Sequence, residues 1–210
     1  MRAPRDRALP GRDLADRPQV TLVTGFDPDT HTAPWATVTL DGKIMAVGLF
    51  ESKRQKGVDS AALMAGVIAR SYMASTNHLV IEGQDAYFSG TTTKKARAED
   101  LISLSFVGGA FASRFPGAQI LRPLPSQWKG QVPKAVHQGR ILTSLGLKYE
   151  TVGAEGDGYC VPLDPESKIP GGSKLPRSSW KHVVDAIGLA LWGAAEIKKQ
   201  ADLERFKAGA

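Results

Sequence analysis

Cysteine is almost absent: Cys160 stands alone among 210 residues. No intrachain disulfide can form, so a reducing, cytoplasmic compartment is the expected home. No apolar run approaches the ~20 residues of a membrane-spanning helix, which argues against a transmembrane anchor and a membrane partner. The opening Met1-Arg2-Ala3-Pro4-Arg5-Asp6-Arg7 is basic but no apolar stretch follows, which argues against a secretory signal. Internal repeats are lacking too, so repeat architectures are excluded. What remains is an ordinary globular composition (42% hydrophobic) in a chain long enough for one domain. Its net charge of +6 and pI of about 9.5 suit a polyanionic partner, of which nucleic acid is the commonest.

Residues 1–18 mix Arg, Asp and Pro without apolar periodicity and read as a disordered basic leader. Order is expected from 19 to 206. Gln19–Phe26, Trp35–Leu40 and Ile44–Phe50 read as strands, and Asp41-Gly42 between the last two is a hairpin signal. Asp59–Ser75 predicts a helix with a face of small apolar residues, and His78–Glu82 a short buried strand. Lys95–Phe115 predicts a second helix, closed by Pro116-Gly117. Gln119–Leu124 reads as a strand and Pro133–Leu145 as a helix opened by proline. Glu150–Arg177, rich in Gly, Pro and Ser, reads as a long loop. Ser178 or Ser179 is placed to cap a last helix from Trp180 to Phe206. Three antiparallel strands followed by α/β alternation predict a mixed sheet flanked by helices.

Carboxylates in apolar settings are the informative ones, because an ionised group there needs a partner or a cation. Asp27 ends the run Val20–Phe26, Glu82 ends Leu79-Val80-Ile81, and Asp185 interrupts Val183–Leu191. A shared pair of Mg²⁺ or Mn²⁺ ions would neutralise all three and supply phosphoryl-transfer chemistry. Each has a plainer reading: Asp27-Pro28-Asp29-Thr30 as a turn, Glu82 as an exposed strand end, Asp185 on a solvated helix face. Asp29 could take the same role, but Asp27 directly follows Gly25-Phe26 and is the expected ligand. His182, three residues before Asp185, shares its helix face and could ligate, orient water or carry a proton. His31, His78 and His137 have no such pairing and read as structural.

These residues resemble a known family. Gly25-Phe26-Asp27-Pro28, Ile81-Glu82 and the helix segment His182-Val183-Val184-Asp185-Ala186 are similar to the three site motifs of RuvC-like Holliday junction resolvases. The resemblance implies an RNase H-like α/β fold with a mixed five-stranded sheet and a long insertion at about 150–177. It implies a homodimeric, structure-selective endonuclease for four-way DNA junctions, with two Mg²⁺ or Mn²⁺ ions per site held by Asp27, Glu82, Asp185 and His182. Pro125-Ser126-Gln127-Trp128-Lys129 resembles the segment whose lysine serves DNA binding or catalysis, which assigns that role to Lys129. Lys134 and Arg140 follow as phosphate contacts or a solvated face. Tyr87 and Phe88 could stack on unpaired bases or pack in the core, and Lys94, Lys95 and Arg97 could hold backbone phosphates. Helix 95–115 is a candidate dimer face. The leader, the insertion and the tail after Ala195 depart from the compact bacterial enzymes, and small divergent members of this kind suggest a bacteriophage origin. Two alternatives stay open: another RNase H-like nuclease acting on hybrids or branched DNA, and a junction-binding protein without activity.

Overall fold

Alternating strands in the first half of the chain build a sheet whose two faces are both covered by helices. The computed structural model describes residues 20–53, 58–71, 75–83, 98–153 and 158–209. The five-stranded sheet comprises β1 (Leu22–Phe26), β2 (Thr32–Thr39), β3 (Ile44–Glu51), β4 (His78–Ile81) and β5 (Gln119–Leu121), in the order β3-β2-β1-β4-β5. The β1–β2 and β2–β3 pairs are antiparallel, whereas β4 and β5 join parallel to β1. This is the mixed sheet the sequence predicts. Strand β2 begins earlier than expected, at Thr32, and runs through Pro34, whose missing N–H is tolerated while its carbonyl accepts from the Asp27 N–H at 3.2 Å.

The sheet divides the interior into two cores. On one face α1 (Val58–Arg70) and α2 (Ala98–Ala112) cover Phe26, Leu79 and Ile81, and Phe26 stacks on Phe111 with ring centroids 3.9 Å apart. On the other face lies α6 (Trp180–Ala208), 29 residues and so about 40 Å long. Its first half is buried on every side, including Val183, Val184, Ile187, Leu189 and Ala190. Each such Val, Leu or Ile contributes about 1.5–3 kcal/mol over an exposed position. All-round burial follows from position: the sheet lies beneath α6, while α3 (Pro125–Trp128), α4 (Lys134–Ser144) and a two-stranded hairpin pack against it.

That hairpin corrects the sequence reading. Glu150–Arg177 is not one long loop: it contains most of β6 (Tyr149–Val152), all of β7 (Tyr159–Pro162), α5 (Pro165–Lys168) and short 3-10 turns. The capping expectation is corrected as well. Ser179 stands at the N-cap of α6, but its hydroxyl donates back to the Pro176 carbonyl at 2.6 Å and leaves the helix end alone. The expected helix 59–75 spans Val58–Arg70, and the expected helix 95–115 is described only as Ala98–Ala112. The expected leader, 1–18, lies outside the described residues. Among the described residues no helix is long and apolar enough to cross a membrane.

Candidate active site

Strand alternation explains how two carboxylates meet. Phe26 pairs with Ile81 across the parallel β1–β4 ladder, and both side chains face the α1/α2 core. The next residues, Asp27 and Glu82, therefore emerge on the opposite face, side by side at the carboxyl ends of neighbouring strands. The Glu82 N–H continues the ladder to the Phe26 carbonyl at 3.2 Å.

Close packing of α6 brings the third carboxylate. A Cβ added at Gly25 would run into the Ala186 carbonyl and lie 2.5 Å from the Ala190 nitrogen, both backbone atoms of α6. Only glycine lets the helix cross β1 at this distance. At Gly193, farther along α6, an added Cβ would run into the Val80 side chain on β4. Asp185, just before this crossing, is lowered toward Asp27 and Glu82.

The three carboxylates have different partners. Glu82 Oε1 accepts from Lys129 Nζ at 2.8 Å and from Trp128 Nε1 at 3.2 Å. The short helix α3 delivers both donors, opened by Pro125 and tied by the Leu124 N–H to Gln127 Oε1 at 2.7 Å. Asp185, 5% exposed, accepts from Gln138 Nε2 at 2.8 Å through Oδ1 and pairs with Lys134 Nζ at 2.6 Å through Oδ2. Lys134 and Gln138 lie four apart on α4 and so reach Asp185 from one helix face. Asp27 is the unneutralised member. Burial raises its carboxyl well above the usual range, and the charges of Glu82 and Asp185, with a hydrogen bond to Glu82, push it further.

His182 Nδ1 stands 4.0 Å from Asp27 Oδ2. Burial lowers its pKa, as do Lys134 and Lys181, so it is a neutral imidazole at neutral pH and the contact is not an ion pair. Burial alone would also lower the Lys129 ammonium, but Glu82, joined by Asp185 and Asp27, holds it above the usual lysine value. Asp29 is engaged in its own turn, where its Oδ1 accepts from the His31 N–H at 2.8 Å, and it borders a polar groove with His31, Glu51 and Lys181 that His182 also lines.

Three carboxylates and a neutral imidazole are a donor set suited to a hard divalent cation. Asp27 is held toward its protonated form, and once it ionises three carboxylates stand against two ammonium groups, an excess of one negative charge that a cation would take up. With Lys129 on Glu82 and Lys134 on Asp185, the described residues contain no group of three acidic, His or Cys side chains set to cage an ion. Composition and charge thus fit a metal.

The sequence-derived residues Asp27, Glu82, His182, Asp185, Lys129 and Lys134 come together here. Tyr87, Phe88, Lys94, Lys95 and Arg97 lie outside the described residues. His31 bonds Ser60 at 2.8 Å between Nδ1 and Oγ, while His137 stands edge-on to Trp128 with centroids 4.9 Å apart. Two contributors had no assigned role. Trp128 is the apolar member of the Pro125–Lys129 segment, whose indole N–H goes to Glu82. Gln138 offered only one signal, its place one turn after Lys134.

No protein-family model and no curated protein matches the chain. Among solved structures it is similar to RuvC of Thermus thermophilus in complex with a Holliday junction substrate. The TM-score is 0.53 at 14% identity, over 85% of this chain and 96% of that one. A second structure of Thermus thermophilus RuvC gives a TM-score of 0.52 at 15% identity, covering 86% and 97%. The resemblance carried by the motifs extends to the fold, a RuvC-like, RNase H-like mixed sheet with flanking helices.

Proposed function

We propose that this chain is a divalent-metal-dependent endonuclease that resolves four-way DNA junctions by phosphodiester hydrolysis. The observation that carries the reading is the meeting of Asp27, Glu82 and Asp185, from β1, β4 and α6, at the carboxyl ends of the interior strands of a RuvC-like sheet. Asp27, Glu82, Asp185 and His182 would hold Mg²⁺ or Mn²⁺, two ions per site, which when bound activate a water and stabilise the leaving oxygen.

The chain's own groups divide the remaining work. Asp27, whose ionised form its burial and its two acidic neighbours disfavour, would give up its proton to a bound cation and so gives the site its demand for one. His182, neutral and beside Asp27, can ligate through nitrogen or accept a proton. Lys129 keeps its positive charge beside Glu82, its ammonium 4.9 Å from the centre of the Trp128 ring, and meets the phosphate next to the scissile bond. Lys134, 41% exposed, can exchange Asp185 for a phosphate oxygen. A second copy would dock on α2, where Ile102 (63%) and Phe106 (52%) are exposed, and so present a second site to the opposing strand.

Synthetic four-way junctions, flaps and RNA–DNA hybrids incubated with Mg²⁺ test the proposal. Paired symmetric nicks in the junction, abolished by Asp27→Asn, are the expected result. Cleavage of the hybrid alone would overturn it. Junction binding by parent and Asp27→Asn alike, with neither cutting, would mark a binding protein instead.

A further inference from the structure

Gln138 is the most completely buried polar side chain near the carboxylates, with no exposed surface, and all three of its hydrogen bonds are made. Its Nε2 donates to Asp185 Oδ1 at 2.8 Å and to the Lys181 carbonyl at 2.6 Å. Its Oε1 accepts from the Cys160 N–H at 2.9 Å. Both amide hydrogens are thus spent on α6, and the amide oxygen on β7.

This pattern allows one amide orientation. Turned over, the oxygen would face a carboxylate and a carbonyl, both acceptors, and the NH₂ would face a backbone N–H. In a buried site that mismatch leaves several polar groups unpaired, each costing about 1–3 kcal/mol. The backbone of β7 therefore sets which way Gln138 points. Gln138 in turn occupies Asp185 Oδ1, leaving Oδ2 as the oxygen turned to Lys134. The hairpin is held hard against α4 by the same region: a Cβ at Gly139 would lie 2.6 Å from Tyr149 Oη.

We infer that Gln138 is a positioning residue for Asp185, and that the β6–β7 hairpin is part of the active site through the Cys160 N–H. The inference rests on the metal-binding role proposed for Asp185. Hydrogen bonds to a ligating carboxylate fix the oxygen it presents, and losing such a partner lowers metal affinity by about 10- to 100-fold.

The test measures Mn²⁺ binding calorimetrically to the full chain without DNA, for the parent, Asp185→Asn and Gln138→Met. The methionine keeps length and burial but none of the polar atoms. The expected result is Mn²⁺ affinity lowered about 10- to 100-fold in Gln138→Met, with metal-free junction binding unchanged. Parental affinity in Gln138→Met, alongside its loss in Asp185→Asn, would overturn the role of Gln138 alone. A parent that takes up no Mn²⁺ would overturn the metal reading and this inference with it. Should Gln138→Met not fold, the unmodified protein still decides: the Gln138 side-chain NH₂ resonances should shift on Mg²⁺ titration, and resonances that stay fixed while the metal binds would refute the coupling.

Discussion

Gly25→Ala is the sharpest perturbation the fold offers, because it changes no charge and no hydrogen-bonding group. The added methyl carbon would overlap the Ala186 carbonyl oxygen and lie 2.5 Å from the Ala190 nitrogen and 3.0 Å from Leu189 Cβ. The first two are backbone atoms in the buried first half of α6, so no side chain can rotate away; α6 itself must rise. Overpacking of this kind costs about 1–3 kcal/mol. For a chain of this size each kcal/mol corresponds to about 2–4 °C, so the midpoint should fall by roughly 2–12 °C. The helix that rises carries Asp185 and His182 away from Asp27 and Glu82, and a shift of about 1 Å at reacting groups costs on the order of 100-fold in rate. Thermal unfolding and single-turnover junction cleavage, run on the same samples, read both effects. Gly66→Ala is the matched control: it lies in α1, an added Cβ meets only the Arg70 guanidinium at an ordinary 3.6 Å, and helix propensity alone should stabilise by about 0.5–1 kcal/mol. A Gly25→Ala protein that melts and cuts like the parent would refute the idea that close helix–strand contact sets the site.

Two further expectations concern the site's charge. Because Asp27 is held above its unfolded value, its contribution to stability is fully present at low pH and is lost as pH rises from the usual carboxylate range, about 4, through the folded value. Metal-free Asp27→Asn should therefore melt above the parent at neutral pH, with the gap closing toward about pH 4, and Mg²⁺ should raise only the parent; fluorescence melts in chelator across that range check the sign, and a less stable variant at neutral pH refutes it. Trp128→Phe removes the indole N–H from Glu82 Oε1 while keeping an aromatic ring beside Lys129. Cleavage should drop about 10-fold or more for a stability cost near 1 kcal/mol, and an unchanged rate would remove Trp128 from the site.

Short-range pattern made much of this architecture readable. Asp27 and Glu82 stood out because a carboxylate ending an apolar strand is costly, and Asp41-Gly42 marked the β2–β3 hairpin, whose Gly42 adopts φ +86. The β6–β7 hairpin did not stand out: its strands are four residues each, lie amid glycine, proline and serine, and are held by tertiary packing on α4 and α6 rather than by a local pattern. Gln138 was hidden for a related reason, since its partners Cys160, Lys181 and Asp185 are 22, 43 and 47 residues away. Lys134 read as a phosphate contact because spacing cannot reveal that Asp185 would lie across from it. The preference for Asp27 over Asp29, drawn from its place directly after an apolar strand, agrees with the fold, where Asp27 joins the carboxylates and Asp29 closes its own turn.

The division of the interior by the sheet has a consequence for how this protein tolerates change. The charged groups placed at the site come from the strand ends, α3, α4 and α6; among the described residues none comes from α1 or α2. The Phe26–Phe50–Phe111 side can therefore repack, trading one aromatic for another, without moving a carboxylate. Mutational robustness should be lopsided: a permissive half that absorbs drift and shapes assembly, backed onto an intolerant half where even a methyl group at Gly25 is too much. Such a chain can wander far in sequence while its outline stays put.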